Sequence, residues 1–463
     1  MDRKKLFAVL TAALVLAGAG QLLAGRDAAA GQGHGQGPPQ PWVIFSTDVS
    51  TGLIDTHGGM SLSPVVYSET HAYTTDSAVT PQDIDDGLAL AMALNLEARG
   101  RLKLLGVVPT FGNASLPAET IVTQRIVRDL KGRPNLPIVP GASGPVSQIL
   151  HPTPTLFDGQ EVTVEGSEGS FAAACGNSGV AFLAERIGRS PQPVTLLAIG
   201  PMTDVACLLN TAPRRVLRNI KEIIAIASRL EGESLQVNGK TVNDFNFRMD
   251  PIAGALLLGA ERASEVPIRL MAFSLTGQTS QDGPRLIPFD AATYPGPQPP
   301  TPPAEASFQW LLDAAGPRNT YWSGIFGSEE GPFDQYAVAA AVEPDLFDCQ
   351  EGRAYVQQCP YPAWSPDFAV DANGDPIDEP YNAPFNPCVD HGGPASSSLA
   401  AVPAELVVTL DTTESGPLVR GTTGIDGNIP ALDRPARPVT VCSDFAGDRG
   451  FEAFKELLLD VTW

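Results

Sequence analysis

From residue 102 to residue 273 the chain alternates short apolar runs with segments of helical period, and this rhythm limits the fold more than any other feature. "LKLLGVVPTFG" is strand-like, "PAETIVTQRIVRDLKG" is an amphipathic helix closed by Gly132, and "NLPIVPG" is a short strand. "SGVAFLAERIGRS", "MTDVACLLN" and "DPIAGALLLGA" read as helices, with "VTLLAIGP", "IKEIIAIAS" and "PIRLMAF" as the strands that follow them. A helix between two strands carries the chain back far enough for the strands to run parallel. The expected fold is therefore α/β, a mostly parallel central sheet flanked by helices. Ligands of such sheets bind beyond the carboxyl ends of the strands, where Asp48, Gly112, Asn113 and Gly200 stand.

Around this block, "WVIFSTD" is a buried strand ending in Asp48, and residues 49 to 82 show no period and read as a long loop or small insertion. From about 346 to 395 the rhythm breaks again. "CPYPAWSPDFAVDANGDPIDEPYNAPFNPCVDHGGP" is dense in Pro, Asn, Asp and aromatics, and reads as an ordered insertion. "ELVVTLD" and "RPVTVCSDF" are strands, and "DRGFEAFKELLLD" is a closing helix. One domain is expected over 42–463, with insertions at about 49–82 and 346–395.

The first thirty residues read as a signal peptide: basic "MDRKK", an apolar stretch, and an A-x-A site ending at Ala30. An uncleaved anchor is the alternative. Residues 31–41, "GQGHGQGPPQP", are a flexible linker. No later segment is apolar for long enough to span a bilayer, so an exported, periplasmic or extracellular protein is expected. A formal charge of -22 argues against a nucleic-acid partner, because binding polyphosphate needs an excess of Lys and Arg. Six cysteines, Cys175, Cys207, Cys349, Cys359, Cys388 and Cys442, suit disulfides in such a compartment. Cys349, Cys359 and Cys388 share a Pro-rich, turn-rich segment where a staple would help most; Cys175 and Cys207 also read as small core residues.

"TPQDIDDGLALAMALN" crowds Asp83, Asp85 and Asp86 ahead of an apolar helix that starts close to Asp85. Helix capping explains carboxylates there, and Asp83 suits the N-cap. A bound cation explains them too, since like charges tolerate each other around a divalent ion.

Taken in order, "STD", "DIDDGLALAMAL", "PTFGNAS", "AIGPMTDVA", "NDFNFRMDP" and "GPFDQYAVAAAVEPDLF" resemble the inosine-uridine-preferring nucleoside hydrolases. The resemblance covers about residues 42–345 and resumes in the last forty. It implies hydrolysis of the N-glycosidic bond of ribonucleosides around a Ca²⁺ ion. The metal ligands it implies are Asp48, Asp86, the main-chain carbonyl of Ile199, and Asp334. Calcium takes about six to eight oxygens, which carboxylates, a carbonyl, water and sugar hydroxyls supply. Asp48 is implied as the base that deprotonates the attacking water. Asp85, Asn113, Asn238, Asp244 and Asn246 are implied as ribose contacts. For Asn113, beside Gly112, turn formation is the competing explanation.

Three departures from the family pattern stand out. Residues 49–84 separate Asp48 from the aspartate pair, where the family loop is tight; His57, His71 and Asp76 within that stretch are candidates to reach the site. Phe333 stands before Asp334 where the family often has a histidine that assists the leaving base. A phenyl ring donates no proton but can stack on a base, as can Trp310 and Trp322. Asp244 replaces a family glutamate, and Arg248 follows where an uncharged residue is usual. Two other readings share the scaffold: a calcium-stabilised protein that binds a nucleoside or sugar without cleaving it, and a hydrolase of another ribosyl compound. The partner is a small nucleoside in the first reading, and a homo-oligomer is compatible with the chain.

Overall fold

Strand β1, Trp42–Thr47, lies inside the sheet and not at its edge. It pairs in parallel with β2 (Lys103–Pro109) on one side and β3 (Val194–Ala198) on the other. The chain thus leaves β1 in one direction, then returns past it in the other. This reversal opens a crevice at the carboxyl ends of β1 and β3, the place where open α/β sheets take ligands. Asp48 follows β1 and Ile199 follows β3.

The computed structural model describes residues 40–49, 85–112, 116–130, 132–146, 174–276 (apart from 234, 238, 239, 243, 245, 248 and 249), 287–288, 329–330, 332–358, 404–420 and 434–461. All of them fall in one compact unit, Gln40–Trp463. Parallel pairing continues from β3 to β4 (Ile220–Ile226), β8 (Ile268–Met271) and β14 (Arg437–Phe445). β11 (Phe347–Gln358) and β12 (Ala404–Thr409) then add in antiparallel fashion, and β13 (Val419–Arg420) pairs with β11. Two separate antiparallel pairs join β6 (Leu235–Val237) to β7 (Lys240–Val242) and β9 (Ile287–Pro288) to β10 (Glu329–Glu330). Period-two alternation builds two cores from one sheet: Val43, Phe45, Leu197 and Ile224 face one, and Ile44, Leu196, Ile223 and Ala225 the other. On the first face lie α1 (Asp85–Ala98), α7 (Phe333–Val342) and α8 (Gly447–Val461). On the second lie α3 (Ser178–Arg189), α4 (Thr203–Thr211) and α6 (Pro251–Gly259). Between them come α2 (Leu116–Gln124) and a single turn, α5 (Arg214–Leu217).

β5, Arg229–Leu230, begins three residues after β4 ends, yet pairs with β12. Three residues reach about 10 Å at most. Five strand spacings in a flat sheet would need about 24 Å. The sheet must therefore coil so that β12 returns to the carboxyl end of β4. Two ion-bearing contacts fix this closure: Arg229 to Glu405 at 2.7 Å, and the Tyr355 hydroxyl donating to Glu231 at 2.7 Å. At the start of β14, buried Arg437 donates to the carbonyls of Leu257, Ala263 and Val266 and so satisfies the end of α6 and the turn after it. Burial lowers its pKa to about 10.

The alternation read from sequence holds, with α1 starting at Asp85. Three readings change. The segment "NLPIVPG" contributes only an isolated bridge, Val107 to Ile138, because its prolines remove ladder donors. The helix over 117–132 passes into a π-helical turn at Arg125–Leu130, while Gly132 takes φ +61° as a helix-ending glycine does. The stretch from 347 to 358, expected to open an insertion, is a twelve-residue strand of the central sheet. Cys349 on it is bonded to Cys442 on β14, and Cys175 is bonded to Cys207. Cys359 and Cys388 lie outside the described residues, as do residues 1–39 and 50–84.

Candidate functional site

At the β1/β3 crevice the chain gathers carboxylates from distant positions. Asp85 and Asp86 open α1, Asp334 opens α7, and all three are buried. One carboxylate oxygen from each lies within 4.8 Å of the others. Asp86 is held to β1: its Oδ1 accepts the Thr47 hydroxyl and the Asp48 backbone N–H, the latter at 3.2 Å. The Asp86 N–H in turn donates to Asp85 Oδ1 at 3.2 Å. Each carboxylate pair at such a separation repels by roughly 3–4 kcal/mol at an effective dielectric of about 20. A hard divalent cation offsets that repulsion and prefers oxygen donors only. The Asp85–Asp86–Asp334 cluster fits a calcium site.

Asp48 is fully buried and is not one of those three. Its carboxylate is cradled by two glycines. A Cβ on Gly112 would overlap its Oδ2, and one on Gly200 would lie 2.6 Å from its Oδ1. Both positions need glycine because backbone closes on a carboxylate there. The sequence placed both glycines at strand ends without showing this packing. Thr47 was likewise missed; only its place beside Asp48 signals it.

The remaining candidates divide. The Ile199 carbonyl accepts the side-chain amide of Asn246 at 2.6 Å, which puts these two at one spot. Asp244 accepts the Ser228 N–H on Oδ2 at 2.8 Å and the Phe247 N–H on Oδ1 at 2.9 Å. Ser228 itself takes φ +85°, a strained value for a residue with a Cβ. Phe333 is buried, with its ring centroid 5.1 Å from that of Phe273. Asn113, Asn238, Asp83, His57, His71, Asp76, Arg248, Trp310 and Trp322 lie outside the described residues.

Behind the crevice sit two buried carboxylates that sequence reading did not single out. Asp204 opens α4 and accepts the Ala142 N–H at 3.0 Å and the Asn177 amide at 2.8 Å. Asp250 caps α6, accepting the Ala253 N–H at 3.0 Å, the Val146 N–H at 2.7 Å and the Thr203 hydroxyl at 2.6 Å. Burial pushes both up, against these hydrogen bonds, and the Asp204 charge adds to the rise at Asp250, which reaches about 6. The ordinary value is 3.8, so the folded chain holds this proton longer than the unfolded chain. Its contribution is complete below about pH 4 and is lost as pH rises through about 6, on the order of 3 kcal/mol. Unfolding midpoints of wild type and Asp250→Asn should converge or cross in favour of the variant between those pH values. A gap independent of pH would assign the proton elsewhere.

Comparison with known proteins agrees with this architecture. A family model described as "Inosine-uridine preferring nucleoside hydrolase" matches residues 76–450. An uncharacterized protein of Schizosaccharomyces pombe is 27% identical over 281 residues, 59% of this chain and 81% of that protein. The pyrimidine-specific ribonucleoside hydrolase RihA of Salmonella paratyphi B is 28% identical over 195 residues, 42% of this chain and 58% of that enzyme. The solved structure of a plant nucleoside hydrolase, PpNRh1, superposes with a TM-score of 0.52 at 15% identity, covering 91% of this chain and 99% of that one, a likeness of fold. The matched residues include Asp85, Asp86, Ile199, Asp244, Asn246 and Asp334, and the chain belongs to the inosine-uridine preferring nucleoside hydrolases, glycosidases that cleave the N-glycosidic bond.

Proposed function

We infer that this hydrolase acts on ribonucleosides, releasing free base and ribose, with Ca²⁺ as its resident ion. One observation carries the reading: Asp334 meets Asp85 and Asp86 although some 250 residues of chain, on the order of hundreds of ångströms extended, separate them. Asp86, Asp334, Asp48 and the Ile199 carbonyl would hold the ion, with Asp85 beside it and toward the sugar. When bound, the ion supplies positive charge that orients the ribose hydroxyls and favours loss of a proton from water. Asp48, fixed between Gly112 and Gly200, accepts that proton as water adds to the anomeric carbon. Asp244 and Asn246 are held by backbone groups at the neighbouring strand ends, so their positions are set before substrate arrives. Asn113 and Asn238 complete the ribose contacts in this reading, and Phe333 with Phe273 forms an apolar wall at the base side. The name of the Salmonella relative makes uridine and cytidine the first substrates to try.

Export follows from the basic and apolar N-terminus and its A-x-A site, and is supported by two disulfides, which persist in oxidising compartments. Among the described residues no helix is long and apolar enough to cross a membrane. Cleavage after Ala30 would leave the 31–41 linker ahead of a hydrolase domain that begins near residue 42, with insertions at about 49–82 and after Gln358, and the enzyme would serve nucleoside salvage. The test is reducing-sugar release from a nucleoside panel with and without chelator. Turnover that chelation abolishes and added Ca²⁺ restores is expected. Ligand-dependent thermal stabilisation with no turnover of any nucleoside would instead make the protein a binder.

A further inference from the structure

The chain carries a net charge of -22, yet its cations are not spread evenly. From residue 186 to residue 221 there are six, Arg186, Arg189, Arg214, Arg215, Arg218 and Lys221, and all six are exposed. The same stretch holds one acid, Asp204, and that one is buried.

Folding gathers these cations at one end of the sheet. Lys103, Trp42, Val194 and Ile220 are the first residues of β2, β1, β3 and β4, and they stand in register across the four strands. Arg218 and Lys221 flank the start of β4, and exposed Lys103 opens β2, three strand spacings or about 14 Å away. The end of α3 is tied to the same place, because the Asn219 side-chain amide donates to the Ile187 and Ser190 carbonyls at 2.6 and 3.0 Å. These are the amino ends of the strands. The crevice at the carboxyl ends is a strand length away, about 20 Å.

This grouping works against the fold. Arg214 and Arg218 are four residues apart on one helical turn, where like charges repel. Among the described residues no carboxylate pairs with Arg186, Arg214, Arg215 or Arg218. The acids beside them are engaged elsewhere: Glu185 with Arg189 at 2.7 Å, and Glu222 with Lys221 at 3.4 Å and Arg269 at 3.0 Å.

A surface of phosphate groups would offset that repulsion, since guanidinium groups match phosphate oxygens in geometry as well as charge. The acidic remainder of the chain does not prevent such contact, because charges at physiological salt are felt over about 8 Å, less than the length of a strand. The chain also enters the domain at this end. The Pro41 carbonyl accepts the Lys103 N–H at 2.8 Å, and the Gln40 side-chain amide donates to the Leu102 carbonyl. Residues 1–39, basic and then apolar at their start, are therefore joined to the domain here. Trp42 at the same end is half-buried, with the Lys103 ammonium 4.3 Å from its ring centroid, and such aromatic rings favour the depth of lipid headgroups.

We propose that the amino end of the sheet docks on a bilayer of anionic phospholipid, with Arg186, Arg214, Arg215 and Arg218 against the headgroup phosphates and the crevice facing away from the membrane. The assignment depends neither on the substrate nor on the ion of the hydrolase.

The experiment is vesicle co-sedimentation of the full chain, as wild type and as the triple variant Arg214→Gln, Arg215→Gln, Arg218→Gln. Vesicles of phosphatidylcholine alone measure what residues 1–39 contribute, which the substitutions leave untouched. On vesicles that also contain phosphatidylglycerol the wild type should bind more tightly, and the variant should lose about 10²-fold in affinity. Raising the salt concentration should remove the wild-type preference. The thermal midpoint of the variant should equal or exceed that of wild type, which separates lost docking from lost folding. Equal binding of the two proteins to the anionic vesicles overturns the proposal. Wild type that ignores the vesicles overturns it as well; retention on an immobilised anionic polysaccharide would then give the arginines to a polymer, and a dimer that the variant loses would give them to a second copy of the chain.

Discussion

Asp48→Ala is expected to lower kcat for nucleoside hydrolysis by about 10³-fold or more, with the chain still folded. The buried carboxylate packs against backbone on two sides, at Gly112 and at Gly200. Truncation therefore removes an acceptor and leaves room, without introducing overlap. The contact that anchors α1 survives, because Asp86 accepts the backbone N–H of residue 48 and the Thr47 hydroxyl, neither of which the substitution removes. Loss of a general base should appear in kcat more than in KM. The measurement is steady-state kinetics at saturating Ca²⁺ beside circular dichroism of the same sample. A variant with wild-type kcat would take Asp48 out of the mechanism.

Asp334→Ala should produce the second large effect, and its sign depends on calcium. In wild type, Ca²⁺ bound at about a hundredfold over its Kd stabilises the fold by roughly 2.7 kcal/mol. The variant loses one of the three clustered carboxylates, so this calcium-dependent rise should shrink toward zero, together with turnover. Under chelation the order should reverse. Removing one carboxylate relieves repulsion worth roughly 3–4 kcal/mol per pair, so the variant should unfold at the same temperature as wild type or above it. Thermal unfolding of both proteins with chelator and with Ca²⁺ gives four midpoints. A calcium response of equal size in the two would place the ion away from Asp334.

Much of this was legible beforehand. The helix at Asp85, the strand ending at Asp48 and the parallel order of the middle strands follow from apolar period, which local sequence writes directly. β11 was not legible. Asp348, Gln350 and Glu351 are exposed and Gly352 has no side chain, so the strand's apolar signal shrinks to the three buried residues Ala354, Tyr355 and Val356. The carboxylates of Asp204 and Asp250 read as ordinary helix-start residues; their burial comes from loops at 141–146 that close over them.

By itself the sequence determined the α/β class, the extent of the strands and helices around β1, and a set of aspartates in family order. Those are local properties, set by residue period and by motifs a few positions long. The tertiary structure alone decided that Asp334 joins Asp85 and Asp86, that two glycines close on Asp48, and that the sheet coils to bring β12 back to the carboxyl end of β4. Such contacts arise where chain segments far apart in sequence pack together, and no local pattern specifies which oxygen will meet which.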